Sequence, residues 1–204
     1  MLNVGVILGT TRPGRRGPQV ASWVAEVARR HPHVQNGNGT IELIDLADLG
    51  LTLLDEPAPA MFGIYRHEHT RRWSAIVDRL DAFVFVTAEY NHSIPASLKN
   101  AIDHLYFEWN DKVAGIVSYG VDGGIRSAEH LRQVLAEVKV ATVRAQPSLS
   151  IFDDFVIEDP LAVGEFAPGE RRRAEIVEML DEVIDWGAAL RSMRQSATEP
   201  VGIA

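Results

Sequence analysis

Three short stretches carry the residue types able to do chemistry. GTTRPGRRGPQV (residues 9–20) sets Arg12, Arg15 and Arg16 among threonines and glycines. AEYNHSIP (88–95) lines up Glu89, Tyr90, Asn91 and His92, and SYGVDGGIRS (118–127) places Gly120, Gly123 and Gly124 ahead of an amphipathic run. Arginine offers a planar, permanently charged fork that matches phosphate oxygens. The first amides of a helix add free donors and partial positive charge. Thr10, Thr11 and Arg12, leading into a helix that opens near Gly17 and Pro18 and continues through Gln19 and Val20, therefore read as a cradle for a small anion. Neither Gly-x-x-x-x-Gly-Lys-Ser/Thr nor Gly-x-Gly-x-x-Gly is present in this loop. That argues against a nucleotide-hydrolysing loop and a dinucleotide turn, and favours a terminal phosphate monoester.

The second stretch follows a buried apolar run and offers backbone donors and acceptors that a flat heteroaromatic ring can meet. Glu89 invites a general-base reading and His92 an acid–base one; neither is adopted, and shaping the turn or packing against another subunit is the plainer account of Glu89, Tyr90 and Asn91. In the third stretch, glycines let amides approach a ligand with no Cβ in the way, and the helix start favours negative charge.

The elements that must position these loops are legible as alternating strands and helices. Leu2–Leu8, 39–46, 82–87 and 112–119 read as strands, and 141–150 as a fifth cut short by Pro147. Helical spacing covers 18–30, 71–80, 95–105, 125–138 and a long terminal run, 169–194. Strand–helix alternation builds a parallel sheet covered on both faces, a doubly wound α/β domain. Ligands of such sheets bind beyond the carboxyl ends of the strands, where all three stretches fall. One domain is expected over residues 1–195, with a frayed tail over 196–204. Two long irregular segments, 55–69 and 150–168, read as lids or interface loops.

Composition narrows the function. The chain has 204 residues, a formal net charge of -8 and no cysteine, with a pI of about 5.3. An acidic surface argues against non-specific nucleic-acid binding and against a basic membrane-surface protein. Thiol chemistry is excluded. No apolar run reaches the roughly 18 residues of a membrane span, so a cytoplasmic location is expected. His31 with His33, and His67 with His69, read as solvated loop histidines, because no carboxylate spacing completes a ligand set; no metal site is expected.

Taken together, GTTRPGRRGPQVASWV, AEYNHSIPASLKNAIDHL and SYGVDGGIRSAEHLRQVL resemble the NAD(P)H-dependent FMN reductase family of flavodoxin-like proteins, which includes flavin, quinone, azo-dye and chromate reductases. The likeness runs from about Val4 to Gln146. It implies a five-stranded sheet of order 2-1-3-4-5 and a bound FMN. The FMN phosphate would sit on Thr10, Arg12, Gln19 and Val20, supported by Thr11, Arg16, Gly17 and Pro18. The ring would rest on Glu89, Tyr90, Asn91 and His92, and its pyrimidine end would meet Ser118, Tyr119, Gly120, Gly123 and Gly124. The family usually carries Pro where this chain has Ala88, which leaves that turn less rigid.

The resemblance further implies ping-pong chemistry. A hydride passes from NADPH or NADH to N5 of the flavin, and electrons pass on to a quinone, flavin, azo compound or similar small acceptor. The flavin carries the reaction, so no catalytic side chain is expected. Arg15 or Arg16 remains for the phosphates of the nicotinamide cofactor. The rival readings are a flavodoxin-type electron carrier and a flavin-binding redox sensor, neither oxidising NAD(P)H itself. A homodimer or homotetramer is expected, with a second subunit covering the flavin through 55–69. Phe62, Tyr65, Phe107 and Trp109 are interface candidates, with ordinary core roles equally in view.

Overall fold

The computed structural model describes residues 1–198, and the remaining six of the expected tail lie outside the described residues. The elements run β1 Leu2–Leu8, α1 Gly17–Arg29, α2 Pro32–Gln35, β2 Gly39–Asp45, α3 Glu68–Asp78, β3 Ala82–Ala88, α4 Ala96–Asp103, β4 Lys112–Gly120 and α5 Ile125–Glu137. Then come β5 Val140–Thr142, β6 Ser148–Ser150, β7 Phe155–Val156, β8 Glu165–Phe166 and α6 Glu170–Thr198. The sheet is parallel with order β2-β1-β3-β4-β5. The helix α6 continues past Gln195, where the sequence pattern predicts fraying.

The expected fifth strand is two strands. β5 pairs with the start of β4 and β6 with its end, Ser118 lying opposite Ser148. Pro147 supplies no N–H to a ladder, and its carbonyl instead accepts from Ser118 N at 3.0 Å. The edge position is thus refilled rather than truncated.

Strand periodicity divides the core in two. On β3, Ala82, Val84 and Val86 face α1 and α6 together with Val20, Val24, Met179 and Val183. Phe83 and Phe85 face α3, α4 and α5 together with Trp73, Leu98, Ile102 and Leu131. β3 is buried along its whole length, as expected of a central parallel strand covered on both sides. Trp109, an interface candidate from sequence, is fully buried here. Its ring lies 5.0 Å from Phe83 and 5.8 Å from Trp73, and its Nε1–H donates to Ile102 O. It is a core residue, because its indole N–H finds a backbone acceptor inside the apolar layer.

Register aligns the strand ends that bear the three loops. Leu8 pairs with Val86, and Ala88 with Tyr119. Because β2 and β3 flank β1 on opposite sides, the chain leaves β1 toward α1 on one face and leaves β3 toward α4 on the other. The crevice between those departures is the switch point of the sheet.

Candidate active site

The first loop commits its arginines to different tasks. Arg15 is half-buried and forms an ion pair with Asp45 at the end of β2. Its Nε is buried and has no hydrogen-bond partner among the described residues. Arg16 donates through Nε to Val163 O and through Nη2 to Ala162 O, both at 2.8 Å. Arg12 is exposed, and its guanidinium carbon lies 5.6 Å from the centre of the Tyr90 ring, a cation–π approach joining the first loop to the second. Of the three guanidinium groups, only that of Arg12 has neither a hydrogen bond nor an ion pair among the described residues.

The remaining first-loop residues divide in the same way. Thr10 is buried, and its hydroxyl lies 3.4 Å from Tyr119 Oη. Gly17 is buried at the first turn of α1, while Thr11 and Pro18 are exposed and Val20 packs in the core. Gln19 is spent on a different contact. Its Nε2 donates to Gly164 O at 2.9 Å and its Oε1 accepts from Phe166 N at 2.7 Å. Arg16 and Gln19, expected on a phosphate, thus hold the β7–β8 hairpin against the start of α1 with their side chains. That hairpin interrupts the second irregular segment and was not legible in sequence, each strand being only two residues long.

The second loop turns sharply. Tyr90 N donates to Ser93 O at 2.9 Å and Ser93 N returns a bond to Tyr90 O at 3.1 Å. Asn91 and His92 between them have φ of 48° and 72°. Two left-handed residues inside a doubly bonded pair are the signature of a type I′ turn, which prefers Asn first and Gly second. Asn91 obeys, and His92 carries strain of the kind that collects at functional turns. We expect His92→Gly to keep the turn and gain about 0.5–1 kcal/mol, the relieved left-handed cost less glycine's entropy. An unchanged or lower denaturation midpoint would show that the imidazole, and not the turn, sets the preference at position 92.

Glu89 is no free general base. Its carboxylate accepts from Arg126 N at 3.1 Å and from Arg126 Nη1 at 2.8 Å, so it caps the first turn of α5. Arg126 also reaches Asp122 at 3.0 Å, and these two acids hold the guanidinium firmly charged. Sequence reading passed over Arg126; its spacing of four from Asp122 at a helix start was the available signal. In the third loop, Gly123 and Gly124 have φ of 72° and 70°. Ser118 Oγ donates to Gly123 O at 2.7 Å and Ser127 Oγ to Gly124 O at 2.8 Å, which fixes the turn from both sides. Burial pushes the Tyr119 hydroxyl up to about 12, so it stays a neutral donor through the physiological range.

The histidine expectation is corrected. His31 is buried: its Nδ1 accepts from His33 N at the start of α2, and its Nε2 lies 3.0 Å from Asp181. His67 and His69 are half-buried with rings stacked at 5.3 Å. Chain folding brings His69 to Asp55 and His104, partners too distant in sequence for local spacing to show.

The first loop thus meets the second through Arg12 and Tyr90, and the second meets the third through Glu89 and Arg126. Residues 2–154 match the family model described as NADPH-dependent FMN reductase. The chain is 39% identical over 174 residues to an NAD(P)H-dependent FMN reductase of Schizosaccharomyces pombe, covering 83% of this chain and 84% of the relative. It is 34% identical over 140 residues to a quinone reductase of Escherichia coli, covering 66% and 69%. In fold it is similar to FerB, a flavoenzyme NAD(P)H:(acceptor) oxidoreductase from Paracoccus denitrificans, with a TM-score of 0.65, 18% identity and coverage of 93% and 98%. It is also similar to flavodoxin 1 of Bacillus cereus, with a TM-score of 0.52, 14% identity and coverage of 90% and 97%. The sheet order, the three loops and the matched residues agree, and this chain belongs to the NADPH-dependent FMN reductase family.

Proposed function

We propose that this chain binds FMN across the three loops and works as an oxidoreductase, oxidising NADPH or NADH and reducing a small acceptor of the quinone or flavin type. The observation that carries the reading is Arg12. Its guanidinium makes no hydrogen bond or ion pair among the described residues and is braced over Tyr90, while those of its two neighbours are tied down. When bound, the flavin accepts a hydride from the reduced nicotinamide and returns two electrons to the acceptor. The chain's residues bind and orient.

In this reading Thr10, Thr11 and Arg12 hold the phosphate with the start of α1. The Tyr90–Ser93 turn offers its backbone to the ring face. The Gly120–Gly124 loop and the first turn of α5 place partial positive charge at the ring's pyrimidine end. Glu89, by capping α5, holds that helix start in register with the second loop.

Replacing Arg12 by Ala is expected to weaken FMN binding by about 10- to 100-fold, the loss of one charge-assisted bond of about 1.5–3 kcal/mol. Arg12→Lys should recover part of it. Fluorescence quenching of free FMN on titration reads both. Unchanged affinity in Arg12→Ala would remove this residue from the phosphate site.

We also read the chain as a homo-oligomer. Leu53, Met61, Phe62, Ile64 and Phe107 are all more than half exposed, and all but Phe107 lie on the long connection between β2 and α3. Such a cluster of exposed large apolar residues marks an interaction surface. Tyr65, by contrast, is half-buried and donates to Glu108 at 2.9 Å, so it braces this face from beneath. Phe62→Asp combined with Phe107→Asp is expected to yield monomers in sedimentation velocity. An unchanged assembly would move the interface elsewhere.

A further inference from the structure

We propose that Asp55, His69 and His104 form a site for a divalent ion of the zinc type, which fastens the irregular segment after β2 to α4. The proposal stands apart from the flavin reading and shares no residue with it. One ligand atom from each of the three residues lies within 4.8 Å of the others, the one such group of histidine and acidic side chains among the described residues.

The contacts inside the group run close to the edges of a metal polyhedron. His69 Nε2 is 3.0 Å from Asp55 Oδ1 and 3.3 Å from Thr52 Oγ1, and His104 Nε2 is 3.2 Å from Thr52 O. Zinc–ligand bonds of about 2.0–2.1 Å give tetrahedral edges of about 3.4 Å. Two imidazoles, a carboxylate and the nearby Thr52 carbonyl are a donor set of borderline N and O atoms, which suits zinc better than calcium or magnesium.

Outer contacts support the same assignment. His104 is fully buried at the end of α4, and its Nδ1 lies 3.4 Å from the buried Thr70 hydroxyl. A metal on Nε2 would leave Nδ1–H to donate to Thr70, the outer bond that orients ligating histidines. Asn100 Nδ2 donates to Thr52 O at 2.7 Å and Asn100 Oδ1 accepts from Leu54 N at 2.9 Å, which holds the turn bearing Asp55 against α4. Glu56 accepts from Arg66 N and His67 N, which holds the start of α3, and with it His69. The frame is therefore set by residues that would not themselves touch the ion. Asp55 and His69 are partly accessible, with side chains 38% and 16% exposed, so an ion has a way in.

Hydrogen bonds alone could also maintain this cluster, and the experiment separates the two accounts. Zinc chloride is titrated by calorimetry into the FMN-loaded, tag-free full chain and into Asp55→Asn, His69→Gln and, as an off-site control, His33→Gln. Bound zinc is then counted after gel filtration, and Tm is read with and without zinc. The expected result is one zinc per chain at micromolar concentrations. Binding should weaken at least about tenfold in Asp55→Asn and His69→Gln and be unaltered in His33→Gln, with a zinc-dependent rise in Tm only where all three ligands remain. Asp55 and His69 sit on the partly exposed side, so their variants are not expected to unfold the core. Equal affinity in all four chains, or no uptake by the unsubstituted chain at micromolar zinc, would overturn the site.

Discussion

Replacing Gly124 by Ala is expected to destabilise the chain by about 2–5 kcal/mol and to abolish retention of FMN. A Cβ at this position would lie 2.8 Å from Tyr119 N and 2.9 Å from Tyr119 O. Both are backbone atoms of β4, held in the ladder with β3, so neither can yield as a flexible side chain would. The left-handed φ of 70° adds about 1–2 kcal/mol for a residue with a Cβ, and the overpacking adds about 1–3 kcal/mol. Relief requires the loop to move off the start of α5, which would break the Ser127 and Arg126 contacts that shape it. Gly14 is the control. Its φ is 69°, yet nothing lies within 4 Å of its Cβ position, so Gly14→Ala should cost only the conformational part. Denaturant midpoints and flavin retention after desalting check the pair. Equal effects at the two positions would show that conformation alone, and not close approach, demands glycine at 124.

The second large effect is in the apolar layer on the α3, α4 and α5 side of the sheet. Trp109→Ala is expected to cost about 3–5 kcal/mol, a large share of the 5–15 kcal/mol typical of a folded domain. The substitution removes a fully buried indole packed against Phe83 and Trp73 and takes from Ile102 O its side-chain donor, leaving the carbonyl its backbone bond from Leu105 N. At about 2–4 °C per kcal/mol for a chain of this size, Tm should fall by roughly 6–20 °C. Trp109→Phe should fall less, since most of the apolar volume is kept. An unchanged Tm accompanied by altered assembly would return Trp109 to the interface role proposed for its neighbour Phe107.

Local pattern made the frame of this protein readable. β1 and β3 are short apolar runs ended by polar loops, and their burial on both faces follows from composition alone. The positions of the three loops then followed from topology. What could not be read is what depends on distant partners. Nothing near Arg16 or Gln19 says that a hairpin some 145 residues later will claim both side chains. Glu89 looks like a free acid until α5 delivers Arg126 to it. His69 looks solvated until the chain returns with His104. Trp109 and Phe107 differ by two positions and have opposite fates, since the turn after α4 buries one ring and exposes the other. Pro147 was legible as a break in the last strand, but its repair by β6 needed the register of β4 to be seen.

The three loops are expected to hold a flavin able to take electrons from a reduced nicotinamide. The most direct test is a visible spectrum of the FMN-reconstituted, desalted chain, recorded without air before and after NADPH and then NADH. A flavin band that survives desalting and bleaches on adding either nicotinamide is the expected result. Loss of the band on desalting, or a retained band that neither nicotinamide bleaches, would contradict it.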